Sequence, residues 1–185
     1  TKENTNPGKL RKLDLSKATI VKNTGSSSSL DKKLAIDWQD ANTLDYYHLS
    51  NTQLETIVLP ENLVNINWNT FEGCTELKNI VCGGNLKTIL NGAFNGCSKL
   101  KQITFPAKVS FEYKDSRDGS IYYAPHELHY VEFFKGCSEL TDITFLGDFY
   151  WTDKAIENFN FNNWSTLFGD TQLTNLKING NSRNI

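Results

Sequence analysis

Apolar residues return along this chain at an interval longer than any helix or strand period. Leu77, Ile80 and Cys82 return as Leu100, Ile103 and Phe105, and again, after a wider interval, as Leu140, Ile143 and Phe145. A Phe, a Gly and a Cys precede each triplet at constant offsets: Phe71, Gly73 and Cys74, then Phe94, Gly96 and Cys97, then Phe134, Gly136 and Cys137. Six positions held in step over three copies define a repeat, and the unit running from Leu77 to Leu100 has the length of one supersecondary element stacked on its neighbours. Partial copies flank these three. Leu54, Ile57 and Leu59, followed by Pro60, repeat the second half of the unit; Leu173, Leu176 and Ile178 repeat it near the end, with Leu167, Gly169 and Asp170 at the Phe, Gly and Cys offsets. Leu10, Leu13 and Leu15 either form a sixth copy of the strand or match the common pattern L-x-x-L-x-L by chance.

The unit predicts its own local structure. In Leu100-x-x-Ile103-x-Phe105 the last two apolar residues are two apart, as on a strand, and Pro106 ends that strand by removing a backbone donor. Ala93-Phe94-Asn95-Gly96-Cys97 predicts a tight helical or 3₁₀ turn on the opposite side, with the Gly free to take positive φ. Leu63 and Ile66, matched one unit later by Leu86 and Ile89, supply a second apolar wall to each coil. Such a unit has too little interior to fold alone and becomes stable only in a stack, each residue lying on its counterpart.

The pattern A-F-x-G-C-x-x-L-x-x-I-x-F-P over residues 93–106 resembles the BspA-like leucine-rich repeats of bacterial surface proteins, and the likeness extends over residues 49–178. The resemblance implies a leucine-rich-repeat solenoid of the α/β class, with short parallel strands on one face and tight turns on the other. It also implies export to the cell surface or beyond and a role in adhesion or macromolecular binding without catalysis.

The regular spacing fails twice. The interval at 107–133 is longer than the unit allows and contains the turn signal Arg117-Asp118-Gly119-Ser120 between stretches rich in Phe, Tyr and Ile, which predicts a projecting hairpin. The interval at 146–166 is also overlong, with a short helix expected over 153–159 capped by Thr152. The expected organisation is therefore a polar leader and capping segment at 1–48 and a solenoid at 49–185 carrying both insertions. Within the first part, 22–29 reads as a low-complexity loop, and Leu34, Ile36 and Trp38 read as a strand of period two.

Charge narrows the partners. Nineteen Lys and Arg against 21 Asp and Glu give a net charge of -2, which supplies no basic footprint for nucleic acid or an anionic membrane. Since position 1 is not Met and residues 1–8 are polar, the chain is expected to be mature or trimmed, its export segment removed. No run is long enough to insert in a membrane.

Candidate chemistry is sparse. Cys74, Cys97 and Cys137 hold one repeat position, so their side chains point the same way and are expected as free buried thiols. His126 and His129 flank Glu127 without a third ligand in a motif-like position, G-x-S-x-G, P-loop and H-E-x-x-H patterns are missing, and neither a metal nor another cofactor is assigned. Alternation points Thr56, Val58, Asn79, Val81, Gln102, Thr104, Asp142, Thr144, Asn175 and Lys177 outward, as a small, polar, nearly uncharged stripe. The aromatic residues of the insertions exceed what a thin core needs, which makes Tyr122, Tyr123, His126, Tyr130, Phe149, Tyr150 and Trp151 the ligand-binding candidates. The reading is thus a secreted or surface protein that binds a host or bacterial surface protein or glycan. The alternative is a structural spacer that displays neighbouring modules.

Overall fold

The computed structural model describes residues 10–20, 42–44, 49–106, 108–112, 133–151, 168 and 171–184. Strands follow in chain order as β1 (Lys12–Asp14), β2 (Thr43–Leu44), β3 (Thr56–Val58), β4 (Asn65–Ile66), β5 (Asn79–Val81), β6 (Thr88–Leu90), β7 (Gln102–Phe105), β8 (Val109–Glu112), β9 (Asp142–Phe145), β10 (Phe149–Trp151), β11 (Asn175–Ile178) and β12 (Ser182–Asn184). They alternate between two six-stranded sheets. One runs β1-β3-β5-β7-β9-β11 and the other β12-β10-β8-β6-β4-β2. Every pairing is parallel, as in a solenoid whose coils each give one strand to each sheet.

The registers are those of the repeat. Ile57, Ile80, Ile103, Ile143 and Leu176 are successive partners in the first sheet, although the first overlong interval separates the third from the fourth. Between the sheets lies one continuous core, in which Leu77, Leu100 and Leu140 and the thiols of Cys74, Cys97 and Cys137 are all buried.

The turn side is held as tightly as the strands. Within each turn, i to i+3 hydrogen bonds close the backbone: Cys97 N–H donates to the Phe94 carbonyl (3.1 Å) and Leu100 N–H to that of Cys97 (3.0 Å). Between turns, Asn51 N–H donates to Glu72, Gly73 N–H to Asn95 and Gly96 N–H to Lys135, each at 2.7 Å. The donors in this column have φ of 54°, 70° and 75°, and Gly136 continues it at 71°. A methyl group on Gly96 would come within 3.3 Å of the Gly73 Cα, so glycine is needed there for approach as well as for conformation.

Aromatic rings occupy the next column inward. Phe94 lies between Phe71 (centroids 5.6 Å, 2° between planes) and Phe134 (5.4 Å, 5°), and Phe168 follows Phe134 at 5.9 Å. The alignment of the last unit is thereby revised. Leu167 is outside the described residues, and the ring that continues the column belongs to Phe168, one position later.

The thiols fill the space beside those rings. Cys74 Sγ donates to the Leu49 carbonyl (2.9 Å), Cys97 Sγ to Phe71 (3.3 Å) and Cys137 Sγ to Phe94 (3.1 Å), so each reaches the preceding coil. All four cysteines are free. Burial pushes the Cys97 thiol well up, helped by the neighbouring Cys137 and Cys74, and pushes Cys82 to about 12; burial also raises Cys74, partly offset by hydrogen bonds involving Thr52.

Two expectations change in detail. Val109–Glu112 does not begin a projecting hairpin: it is the second-sheet strand beside β6, with Ile89 opposite Phe111, because Val109 and Phe111 alternate inward like any wall residue. Phe149–Trp151 likewise continues that sheet beside β8. The turn at 117–120, the strand at 34–38 and the helix at 153–159 lie outside the described residues.

Three outcomes follow from this packing. In urea unfolding, Phe94→Ala costs roughly 3–5 kcal/mol, since the cavity opens between two stacked rings that cannot close together. Gly96→Ala costs roughly 1–2 kcal/mol or more, because left-handed backbone strain is joined by a close contact. For the thiols, a raised folded-state pKa contributes stability that is complete below the unfolded thiol value, about 8.5, and is lost as pH rises above it. Denaturation midpoints should therefore fall between pH 7 and 10, and native thiols should react with a disulfide reagent far more slowly than unfolded ones.

Candidate functional site

The first sheet turns one side chain in two outward, and strand register sorts these into two straight rows. One row contains Lys12, Thr56, Asn79, Gln102, Asp142 and Asn175; the other contains Asp14, Val58, Val81, Thr104, Thr144 and Lys177. The ten outward residues expected from alternation are all exposed or half-buried. The middle of the face carries no charge, from Thr56 and Val58 through Thr104. Val81, at 52% exposure, sits at its centre with Val58 beside it.

Side chains on this face are ordered by their neighbours. Asn175 Nδ2 donates to Asp142 Oδ1 (2.7 Å), and Thr141 Oγ1 donates to Asp142 Oδ2 (2.5 Å). These bonds, that from Thr141 foremost, hold the Asp142 carboxyl below its ordinary range, so it presents an acceptor rather than an available base. Charges gather instead where the strands begin. Lys78 pairs with Glu55 at 2.9 Å and Lys99 with Glu76 at 2.8 Å, each across one repeat, and Lys101 reaches Glu139 at 3.7 Å. The hydrogen bond Lys78 donates lowers the Glu55 pKa, while the one Lys99 donates to Glu76 raises the Lys99 pKa.

A second surface lies over the turns. An open groove of about 770 Å³ follows the glycine column, lined by Asn51, Gly73, Gly96 and Gly136 and by the residues that precede them, Ser50, Glu72, Asn95 and Lys135. Because the glycines lack side chains, peptide backbone forms much of its lining. Most of those amides are already engaged between coils, so the groove offers shape more than free donors.

The residues singled out from sequence divide unevenly. Phe149 is not available to a ligand: it is fully buried, with its ring 4.2 Å from Phe145 and 5.4 Å from Phe111. Its alternation on β10 sends it into the wall of the core, a position that a second-sheet register would have indicated. Tyr150 and Trp151 take part in β10 through their backbones, with Tyr150 opposite Ser110 and Arg183, and Trp151 opposite Phe111 and Asn184. Tyr122, Tyr123, His126 and Tyr130 lie outside the described residues. The turn groove was missed in the sequence, although Gly73, Gly96 and Gly136 at one repeat position were the signal for it.

Among the described residues no group of three His, Cys, Asp or Glu side chains is arranged to hold a metal, and no helix is long and apolar enough to cross a membrane.

The family described as BspA type leucine-rich repeat region (6 copies) matches residues 28–116. No curated protein and no solved structure matches the chain. The matched residues include β2 to β8 and end shortly after Glu112, where the even spacing breaks. Repeats of this family are generally non-enzymatic scaffolds for protein binding, and they are typically surface-associated in bacteria. Residues 28–116 thus belong to the BspA type leucine-rich repeat family, and the same coils continue past them into the Phe134 and Leu173 units, making the chain a leucine-rich-repeat solenoid.

Proposed function

We propose that this chain is a non-catalytic binding module, secreted or displayed on a bacterial surface, that mediates adhesion by docking a host or bacterial surface protein or glycan on the outer face of its first sheet. The supporting observation is that face itself. Strands at about 4.8 Å spacing present short hydroxyl and amide side chains in two fixed rows around an exposed valine pair. Short side chains lose little rotamer freedom on binding, and fixed spacing favours partners that offer regularly placed hydrogen-bonding groups. The uncharged centre favours recognition by contact rather than by long-range steering.

Tyr122, Tyr123, His126, Tyr130, Tyr150 and Trp151 are proposed as further, aromatic contributors to binding; Phe149 is excluded, since its ring is spent in the core. The rival role, a spacer that displays neighbouring modules, draws support from the regular core.

The test is an array of extracellular-matrix proteins and glycans probed with the purified protein, repeated with Gln102→Arg plus Thr104→Arg and separately with residues 114–123 deleted. The face variant should keep its circular dichroism spectrum and lose about tenfold or more in affinity. Unchanged binding by that variant, with loss on deletion, would move the site to the insertion. An array without binders, together with failure of surface display when this segment is removed from the parent protein, would establish the spacer.

A further inference from the structure

A partner seated on the outer face of the first sheet has to match a ladder of fixed pitch. Surfaces of different repeat fall out of step within a few rows. Two parallel sheets share one strand spacing, about 4.8 Å, and pack face to face about 10 Å apart with their strands nearly aligned. That separation holds one layer of short side chains from each sheet, and Thr56, Val58, Asn79, Val81 and Thr104 are of that size.

The face also lacks what would repel its own copy. A surface that meets itself sets like over like near the symmetry axis, so a charge there would face the same charge. From Thr56 and Val58 through Thr104 the two rows contain none, and Val81, half exposed, stands in their midst. The added length of each overlong interval falls between a second-sheet strand, β8 or β10, and the ring column at Phe134 or Phe168, so neither interval interrupts this face.

We infer, resting on the reading of this face as the docking surface, that its partner is the same face of a second copy, so that adhesion is homophilic, from one bacterial surface to another. A two-fold axis along β5, over Val81, suits every row. Rotation about it lays Val81 and Asn79 on their own counterparts in the second copy, and β3 on β7, with Val58 opposite Thr104 and Thr56 opposite Gln102. It lays β1 on β9, which brings Lys12 opposite Asp142 on both sides of the axis. The valine pair is then closed from water, each Asn79 amide meets a group that can both donate and accept, and two ion pairs flank the centre. Asp142 is already set in place by Asn175 Nδ2 at 2.7 Å. The contact is isologous, so it closes at two copies. Only the short rows of five strands take part, against roughly 20–30 residues a side in a stable interface. Each contact is therefore weak, and many copies on a surface are needed to make it effective.

Sedimentation velocity up to millimolar concentration, with clumping of beads coated with the protein, tests this. The expected results are a dimer at high concentration that does not grow further, and beads that clump. Val81→Arg sets like charges against one another on the axis; it should lower association about tenfold or more and disperse the beads, while the circular dichroism spectrum is kept. Lys12→Glu and Asp142→Lys should each weaken the dimer roughly three- to tenfold. An equimolar mixture of the two should recover, because each then meets the opposite charge. If Asp142→Lys fails to fold, Asp142→Asn removes the charge alone, and adding Lys12→Ala to it should cost nothing more. A monomer at every concentration with dispersed beads, Val81→Arg beads that clump unchanged, or charge variants that associate like the unaltered protein would each overturn homophilic docking. Probing the matrix-protein and glycan array with Val81→Arg then tells a wrong partner from a wrong face: array binding lost in that variant leaves the face as the docking surface for another molecule, and array binding retained removes the face as well.

Discussion

Coil-to-coil backbone hydrogen bonding sets the pitch to which everything else in this protein conforms. Parallel ladders run through both sheets, and a third series, from Asn51 to Glu72, Gly73 to Asn95 and Gly96 to Lys135, ties the turns together. With the pitch fixed on three sides, a side chain at a given repeat position has one strand spacing in which to fit. Phenyl rings satisfy this by lying parallel at 5.4 to 5.6 Å, and thiols by reaching back to a carbonyl of the coil before. At the sharpest bend, where the backbone is left-handed and turns approach closely, Gly73, Gly96 and Gly136 accompany the rings, with Asn51 taking the same conformation in the first coil of the column. The consensus is therefore a list of what the pitch permits, and the Cys at its centre is there as a compact apolar residue with a weak donor.

That dependence explains how much could be read before any coordinates. Positions constrained by all three ladders recur in the sequence without change, so the first sheet, the turns and the buried thiols were legible from Leu77, Leu100, Leu140 and their companions. The second sheet was legible only where its spacing stayed regular, at Leu63 to Ile66 and Leu86 to Ile89. Val109 to Phe111 has the alternation of any strand, and a Gly-containing turn signal downstream made a hairpin the simpler reading; parallel pairing with β6 is a long-range choice that local pattern does not encode. Phe149 was misread for the same reason. An aromatic residue in an irregular interval looks like surplus until its wall is known, and Phe145 and Phe111 show where it goes. Leu167 and Phe168 differ by one position because the last interval lengthened by a number that no repeat dictates.

The outer face of the first sheet follows a different rule. Core positions are specified by shape, but outward positions are specified only by compatibility with a flat parallel sheet, and small β-branched or amide residues meet that requirement in many combinations. Their near neutrality between Thr56 and Thr104 contrasts with the ion pairs at the strand entries, Glu55 with Lys78 and Glu76 with Lys99. Those pairs are exposed and contribute little to stability individually. Their arrangement keeps charge to the margin and leaves a broad uncharged surface between them.

The return of the chain after Glu112 has a wider meaning. Phe94 N–H donates to the Phe133 carbonyl and Gly96 N–H to that of Lys135, so the coil resumes as though the preceding segment had not intervened. The energetic penalty for lengthening such an excursion grows only logarithmically. A segment held between two rigid anchor points of fixed separation can therefore be lengthened or shortened at small cost to the frame on either side of it.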